Sequence, residues 1–231
     1  MNYQRFNQSP KSYESINIKE SFKFINEKII KKYNPSSLLD IGCASGDFLS
    51  ILDVSIKAAG VDKTESLIDL AKSKINNPLF NIDILKEKKK FQKLLNQYGD
   101  AVTILGTLHT FLDFRPLLHE VINSSNTRLI IIHSPFNTNS IDTGIFHRDH
   151  SKGDKDFQSA YNIFSIETIS DYLKKCDIDN FEFIPFEMTS TLQFDRKYLM
   201  NNYHFFDQNG KKYLTNGTGV LFEEFILVIN K

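Results

Sequence analysis

The segment Leu38-Leu39-Asp40-Ile41-Gly42-Cys43-Ala44-Ser45-Gly46-Asp47-Phe48-Leu49 constrains this chain more than any other. An apolar strand runs into a loop with glycines at Gly42 and Gly46, and a helical pattern over Gly46 to Leu52 follows. Glycine permits the sharp turn and lets a ligand approach the backbone with no side chain in the way. A helix start presents free backbone N–H groups, which favour a carboxylate.

The rest of the chain supplies a sheet around this loop. Strands are expected at Ser37–Ile41, Ala58–Asp62, Leu79–Ile84, Asp100–Leu105 and Arg128–His133, with helices across Ser66–Ile75, Phe91–Tyr98 and Arg115–Asn123 between them. Such β-α alternation implies an α/β fold, a doubly wound and mostly parallel sheet with helices on both faces. Ahead of it, Phe22, Ile25, Ile29 and Ile30 fall near helical spacing, so Ile16 to Tyr33 reads as an amphipathic helix ending before Asn34-Pro35. Behind it, Ser134 to Phe157 is polar and aperiodic, the signature of a long loop or lid. The run Lys86-Glu87-Lys88-Lys89-Lys90 reads as a solvated helix start. A helix over Ser165–Cys176, with Ser165 as N-cap, precedes closing strands at Phe181–Phe186 and Leu221–Ile229, one of them antiparallel. Turn signals lie at Asp207–Gly210 and Asn216-Gly217.

Composition narrows the partners. Lys and Arg number 28, as do Asp and Glu, so the formal net charge is zero, which argues against nucleic acid. Two cysteines, Cys43 and Cys176, are too few for a disulfide framework or a zinc spacing. Met1 to Ser21 lacks the apolar core of a signal peptide, and no apolar run would span a bilayer, so the expected location is the cytoplasm.

The spacing at Asp40 to Gly46 is acidic-x-G-x-x-x-G, not the three-glycine dinucleotide fingerprint. It resembles motif I of the class I S-adenosylmethionine-dependent methyltransferases, and the resemblance extends over roughly Ser36 to His133. The resemblance implies a Rossmann-like fold and S-adenosylmethionine as cofactor. It places Asp40, Gly42, Cys43, Ala44, Ser45 and Gly46 in the cofactor loop, although the Cys43 thiol has no assigned chemistry. Ala59-Gly60-Val61-Asp62 ends the second strand with a carboxylate able to accept both ribose hydroxyls, with Lys63 beside it. The bland alternative for Asp62 is a helix cap, with Glu65 completing a capping-box-like spacing. The family uses an acidic residue such as Asp83 for the adenine amino group, and the N–H of Ile84 for the ring nitrogen. Asp83 can equally be turn chemistry. Gly106 and Thr107 occupy the usual position beside the methionine moiety. On this reading residues 1–35 form a helical cap, 36–133 the cofactor-binding core, and 134–231 the acceptor loop and closing elements of the same domain.

The acceptor is narrowed by absence. There is no Asp/Asn-Pro-Pro-aromatic motif for amino-group methylation and no Pro-Cys nucleophile for attack on a cytosine ring. The segments Ser134-Pro135-Phe136-Asn137, Tyr161-Asn162-Ile163-Phe164-Ser165-Ile166-Glu167-Thr168-Ile169 and Asn216-Gly217-Thr218-Gly219 resemble methyltransferases of bacterial capsule and O-antigen clusters. That implies methyl transfer to a hydroxyl, or a phosphate-type oxygen, of a surface-glycan precursor such as a nucleotide-linked sugar. A hydroxyl acceptor needs a general base. His109 and His133, at strand C-termini, and His147, Asp149 and His150, in the long loop, are the candidates. His147 and His150 lack a third ligand at fixed spacing, so no metal is assigned. The alternatives are a non-catalytic cofactor-binding or partner protein, or a dinucleotide-dependent oxidoreductase.

Overall fold

The computed structural model describes residues 18–147, 159–193, 202–216 and 219–231. The N-terminal helix begins as α1 (Glu20–Phe24), widens into a π-helical turn at Ile25–Ile30 and ends as α2 (Lys31–Tyr33). Asn34 stops it in the left-handed conformation, φ 44°, directly before Pro35. There follow β1 (Ser37–Ile41), β2 (Lys57–Asp62), α3 (Glu65–Lys72), β3 (Leu79–Asn81), α4 (Lys88–Tyr98), β4 (Ala101–Leu105), α5 (Arg115–Ile122) and β5 (Leu129–Asn137). The last third contains β6 (Thr143–His147), β7 (Ser159–Ser165), α6 (Ile166–Lys175), β8 (Phe181–Phe186), β9 (Tyr203–Phe206), β10 (Lys212–Thr215) and β11 (Glu223–Asn230).

One sheet runs in the order β3-β2-β1-β4-β5-β11-β8, with β7 added to β5 and β6 to β7. The pairs β2–β3, β1–β2, β1–β4 and β4–β5 are parallel, whereas β11 is antiparallel to both β5 and β8. This is the Rossmann-like, mostly parallel sheet with an antiparallel strand. Its central strands are buried on both faces, as a parallel sheet under two helical layers must be.

Strand alternation divides the core into two. Leu39, Val102, Ile130, Leu227 and their i+2 neighbours pack under α4, α5 and α6. Leu38, Ala101, Leu129, Ile131, Ile226 and Val228 face the other way, under Phe22, Ile25, Ile29 and Ile30 of the N-terminal helix and Ile68 of α3. Continuing that period to the C-terminal edge of the parallel strands brings Asp40, Asp62, Thr103 and His133 onto the N-terminal helix's face. Glu224, two residues before Ile226 on the antiparallel strand, arrives on the same face at the same edge. Five polar side chains therefore converge where the aliphatic pattern breaks.

Three expectations need correction, and one expected turn is present with a strand on either side. Gly46–Leu52 is not a regular helix: turns lead into a 3-10 turn at Leu49–Ile51, and Leu52 is already extended. The turn built on Asp53, whose Oδ1 accepts from Ser55 N and Oγ, leaves no room for more. The third strand stops at Asn81, because Asp83 and Glu87 bond each other's backbone and turn the chain. Ser134–Phe157 is not one loop. β5 continues through Asn137 because β11 pairs with it as far as Phe136 and β7 takes over its other edge where β4 ends. Beyond it β6 pairs antiparallel with β7, and residues 148–158 lie outside the described residues. Finally, β9 and β10 form a hairpin around the expected turn at Asp207–Gly210, whose Asp207 carboxylate accepts from Asn209 N and Lys211 N. The N-cap at Ser165 holds, its Oγ accepting from Thr168 N at 2.9 Å.

Candidate cofactor and acceptor site

The glycine loop is shaped by protein contacts. Gly42 N and Cys43 N both donate to Val61 O, at 2.8 and 3.2 Å, and Gly46 N donates to Cys43 O. Gly42, Ala44 and Gly46 all have positive φ, of 73°, 49° and 79°. Ala44 carries a Cβ there, and the neighbouring strand holds it: its N–H donates to Asp62 Oδ2 at 3.1 Å, while Asp62 Oδ1 accepts from Thr64 N at 2.9 Å. Asp62, 5 % exposed, thus pins the loop to the start of α3. The helix cap position itself belongs to Thr64, not Asp62.

The positive φ of Gly42 and Gly46 is the sharp turn expected of them, and packing adds a second reason. A Cβ on Gly42 would lie 2.3 Å from Thr107 Oγ1, and one on Gly46 would lie 2.4 Å from the Ile75 side chain. Both exclude neighbouring side chains of the protein itself. The open approach is at Gly106, φ 67°, whose N–H is tied to His133 O and whose missing Cβ would meet nothing within 4 Å. Around the loop, the Cys43 side chain turns into the core against Gly60, Ser45 Oγ is buried with no hydrogen-bond partner among the described residues, and Lys63 is exposed.

Beneath the loop, Asp40 is 3 % exposed and accepts from Thr103 Oγ1 at 2.7 Å. Burial pushes its carboxyl up to about 7, with the Thr103 bond opposing and the Asp62 charge reinforcing the rise. Asp83 sits further off and partly buried, its Oδ1 accepting from Leu85 N at 3.3 Å, while Ile84 packs into the core beneath α4.

On the acceptor side, His109 lies in a 3-10 turn, Leu108–Thr110, and its ring stacks on Tyr161 of β7 with centroids 4.5 Å apart. Asn162 secures the junction by donating to Phe111 O at 2.7 Å. His133 is 6 % exposed, packed edge-on against Phe186 at 5.5 Å, with Nε2 3.6 Å from Glu224 Oε2. The sequence reading missed Glu224, although strand period would have placed it on the face of Ile226 and Val228. Burial alone would push its carboxyl up, but His133, and beyond it Lys19 and His109, hold it below the ordinary glutamate range. Burial, and then Glu224, push the Tyr161 hydroxyl well above its usual range. His147 ends β6, opposite Ser159, and its side chain is not among those described; Asp149 and His150 lie outside the described residues altogether. Among the described residues no group of three or more His, Cys, Asp or Glu could hold a metal ion, and no helix is long and apolar enough to cross a membrane.

Comparison with known proteins bears on the fold that carries these residues. Residues 39–124 match the family model described as a methyltransferase domain. No curated protein matches the chain. Among solved structures, a SAM-dependent methyltransferase from Archaeoglobus fulgidus is 19 % identical with a TM-score of 0.52, over 91 % of this chain and 94 % of that one. The N-terminal domain of EvdMO1 with SAH bound is 10 % identical with a TM-score of 0.60, over 92 % of this chain and 82 % of that one. A 1,6-didemethyltoxoflavin-N1-methyltransferase from Burkholderia thailandensis is 12 % identical with a TM-score of 0.51, over 92 % and 78 %. At such identities the likeness is one of fold. Residues 39–124 thus resemble a methyltransferase domain, and S-adenosylmethionine is the cofactor that this likeness gives the chain.

Proposed function

We propose that this chain transfers the methyl group of S-adenosylmethionine to a hydroxyl of a small surface-glycan precursor, such as a nucleotide-linked sugar. The observation that carries the reading is the convergence of Asp40, Asp62, His133 and Glu224 at one sheet edge beside the open backbone of Gly106. In open α/β sheets ligands collect at the C-terminal ends of the strands. The bound cofactor supplies an electrophilic methyl on a sulfonium. The residues fit it: Asp62, a buried carboxylate, would hold the ribose hydroxyls, Ser45 offers a buried hydroxyl to a polar partner, and the buried Asp40 carboxyl beneath the loop would ionise against the cofactor's positive charge.

The chain's part in transfer is to position the acceptor and accept its proton. His109 follows the end of β4 and His133 lies on β5 opposite the last residue of β4, while the buried rings of Tyr161 and Phe222, 5.8 Å apart, pack with Ile163 and Leu214 into a small core beside His109. The EvdMO1 domain, of the same fold, is described in the presence of SAH and D-fucose, whereas the Burkholderia enzyme is described with bound 1,6-didemethyltoxoflavin, so the fold by itself does not select the acceptor. The test is calorimetric binding of S-adenosylmethionine, followed by release of its demethylated product across a panel of nucleotide sugars. Binding without turnover on any member would leave a cofactor-binding partner protein, and absence of binding would overturn the reading.

A further inference from the structure

We propose that Glu224 and His133 act as a pair that takes the acceptor's proton, with Glu224 the positioning residue, and that the acceptor is therefore a hydroxyl that still carries its proton at neutral pH. The proposal rests on the methyl-transfer reading above and names the substrate class within it.

The argument starts from β11. On the face shared with the N-terminal helix its side chains run Val228, Ile226, Glu224, the first two in the apolar core. The preceding Glu223 pairs with Lys211 at 3.1 Å at the surface. Glu224 instead leaves only 12 % of its side chain exposed and faces His133 on β5 across 3.6 Å. A carboxylate withdrawn from water costs stability unless it is paired, and an aliphatic residue would extend the core at no such cost. Perturbed, buried charge pairs at a ligand-binding edge are candidates for chemistry. The groups that face Glu224 among the described residues are His133 from β5, Lys19 from the start of α1, His109 from the turn after β4, Tyr161 from β7 and, further off, His204 from β9. None is a second carboxylate. Phe186, paired with Glu224 across β8 and β11, packs edge-on against the His133 ring.

Such a pair suits one class of acceptor. The acceptor's O–H bond breaks and its proton passes to the Glu224–His133 pair. The oxygen's electron pair forms the new O–CH3 bond as the CH3–S bond breaks, and that bonding pair stays on sulfur. The products are a methyl ether, the neutral thioether and a protonated pair, which returns its proton to water. Glu224 stabilises the imidazolium that forms. A phosphate or carboxylate acceptor would bring its own negative charge against Glu224 and would have no proton to lose.

Two measurements test this. Glu224→Gln keeps the shape and removes the charge. It should bind S-adenosylmethionine within about twofold of the parent, yet lower kcat on an active nucleotide sugar by about 100-fold or more with little change in KM, and Glu224→Asp should recover part of the loss. Independently of any acceptor, carbon-13 NMR should find the Glu224 carboxyl titrating below the ordinary range, moving up in His133→Asn and, by less, in the exposed Lys19→Met. Parent-like turnover by Glu224→Gln, turnover on sugar phosphates with the phosphate methylated, or a Glu224 titration indifferent to both substitutions would overturn the pair. Failure of the parent to bind S-adenosylmethionine would instead overturn the methyl-transfer reading.

Discussion

Replacing Asp40 with Asn should flatten the pH dependence of stability between about pH 4 and pH 7. The side chain lies under the cofactor loop, 3 % exposed, with Thr103 Oγ1 at 2.7 Å as its hydrogen-bond partner. Burial raises its carboxyl from 3.8 to about 7, with Thr103 and Lys19 opposing and Asp62 assisting. Over that window the folded chain holds a proton that the unfolded chain has released. Stability therefore falls as pH rises, and is flat again above about 7. At ~1.36 kcal/mol per pH unit the whole window amounts to ~4 kcal/mol. Urea denaturation of the parent and of Asp40→Asn at pH 4, 5.5, 7 and 8 reads it directly: the variant should gain on the parent by ~4 kcal/mol across the series. A second consequence is functional. Positive charge brought in by the cofactor favours ionised Asp40, so binding at pH 6 should release up to about one proton, seen as a buffer-dependent enthalpy that Asp40→Asn lacks. A stability difference that does not change with pH would refute the burial argument, and equal proton release by the two proteins would remove Asp40 from the cofactor's surroundings.

Asp62→Ala strips the partner from the Ala44 and Thr64 N–H groups and should weaken S-adenosylmethionine binding by ~2–3 kcal/mol, read by calorimetry, and stability by ~1–3 kcal/mol, read by denaturation. Gly42→Ala forces a Cβ into the left-handed region and against Thr107; it should cost ~1–3 kcal/mol of stability, and pairing it with Thr107→Gly should recover only the steric part in a double-mutant cycle. Glu20 accepts from Thr189 N and Oγ and from Ser190 N, bonds that hold its carboxyl down at about 2. Its contribution is thus present above the ordinary glutamate range and is lost as pH falls toward 2. Glu20→Gln should speed hydrogen exchange at the Thr189 and Ser190 amides at pH 7, and unchanged protection there would show that the segment after β8 is held by other contacts.

What the sequence determined by itself was the periodic part. Leu38 to Ile41 before Gly42, the carboxylate at Asp62, and the aliphatic runs at Ala101–Leu105 and Leu129–Ile132 specify a parallel sheet with a ligand loop at its edge, because strand period and glycine are local properties. The Ser165 cap was legible for the same reason. Tertiary structure decided the rest. The left-handed turn at Gly42 and Gly46 is local, but Thr107 and Ile75, distant in sequence, add a steric reason by coming within 2.3 and 2.4 Å of the missing Cβ atoms. β5 reaches Asn137 only because β11 and β7 pair with it, and no property of Ser134-Pro135-Phe136-Asn137 by itself announces a strand. Glu224 and His133 lie 91 residues apart, one read in sequence as part of a closing strand and the other as one of several candidate bases. They meet because β11 enters the sheet antiparallel, bringing the start of a late strand to the edge where the earlier strands end, and a charge pair across that edge is a fact of topology that no local pattern encodes.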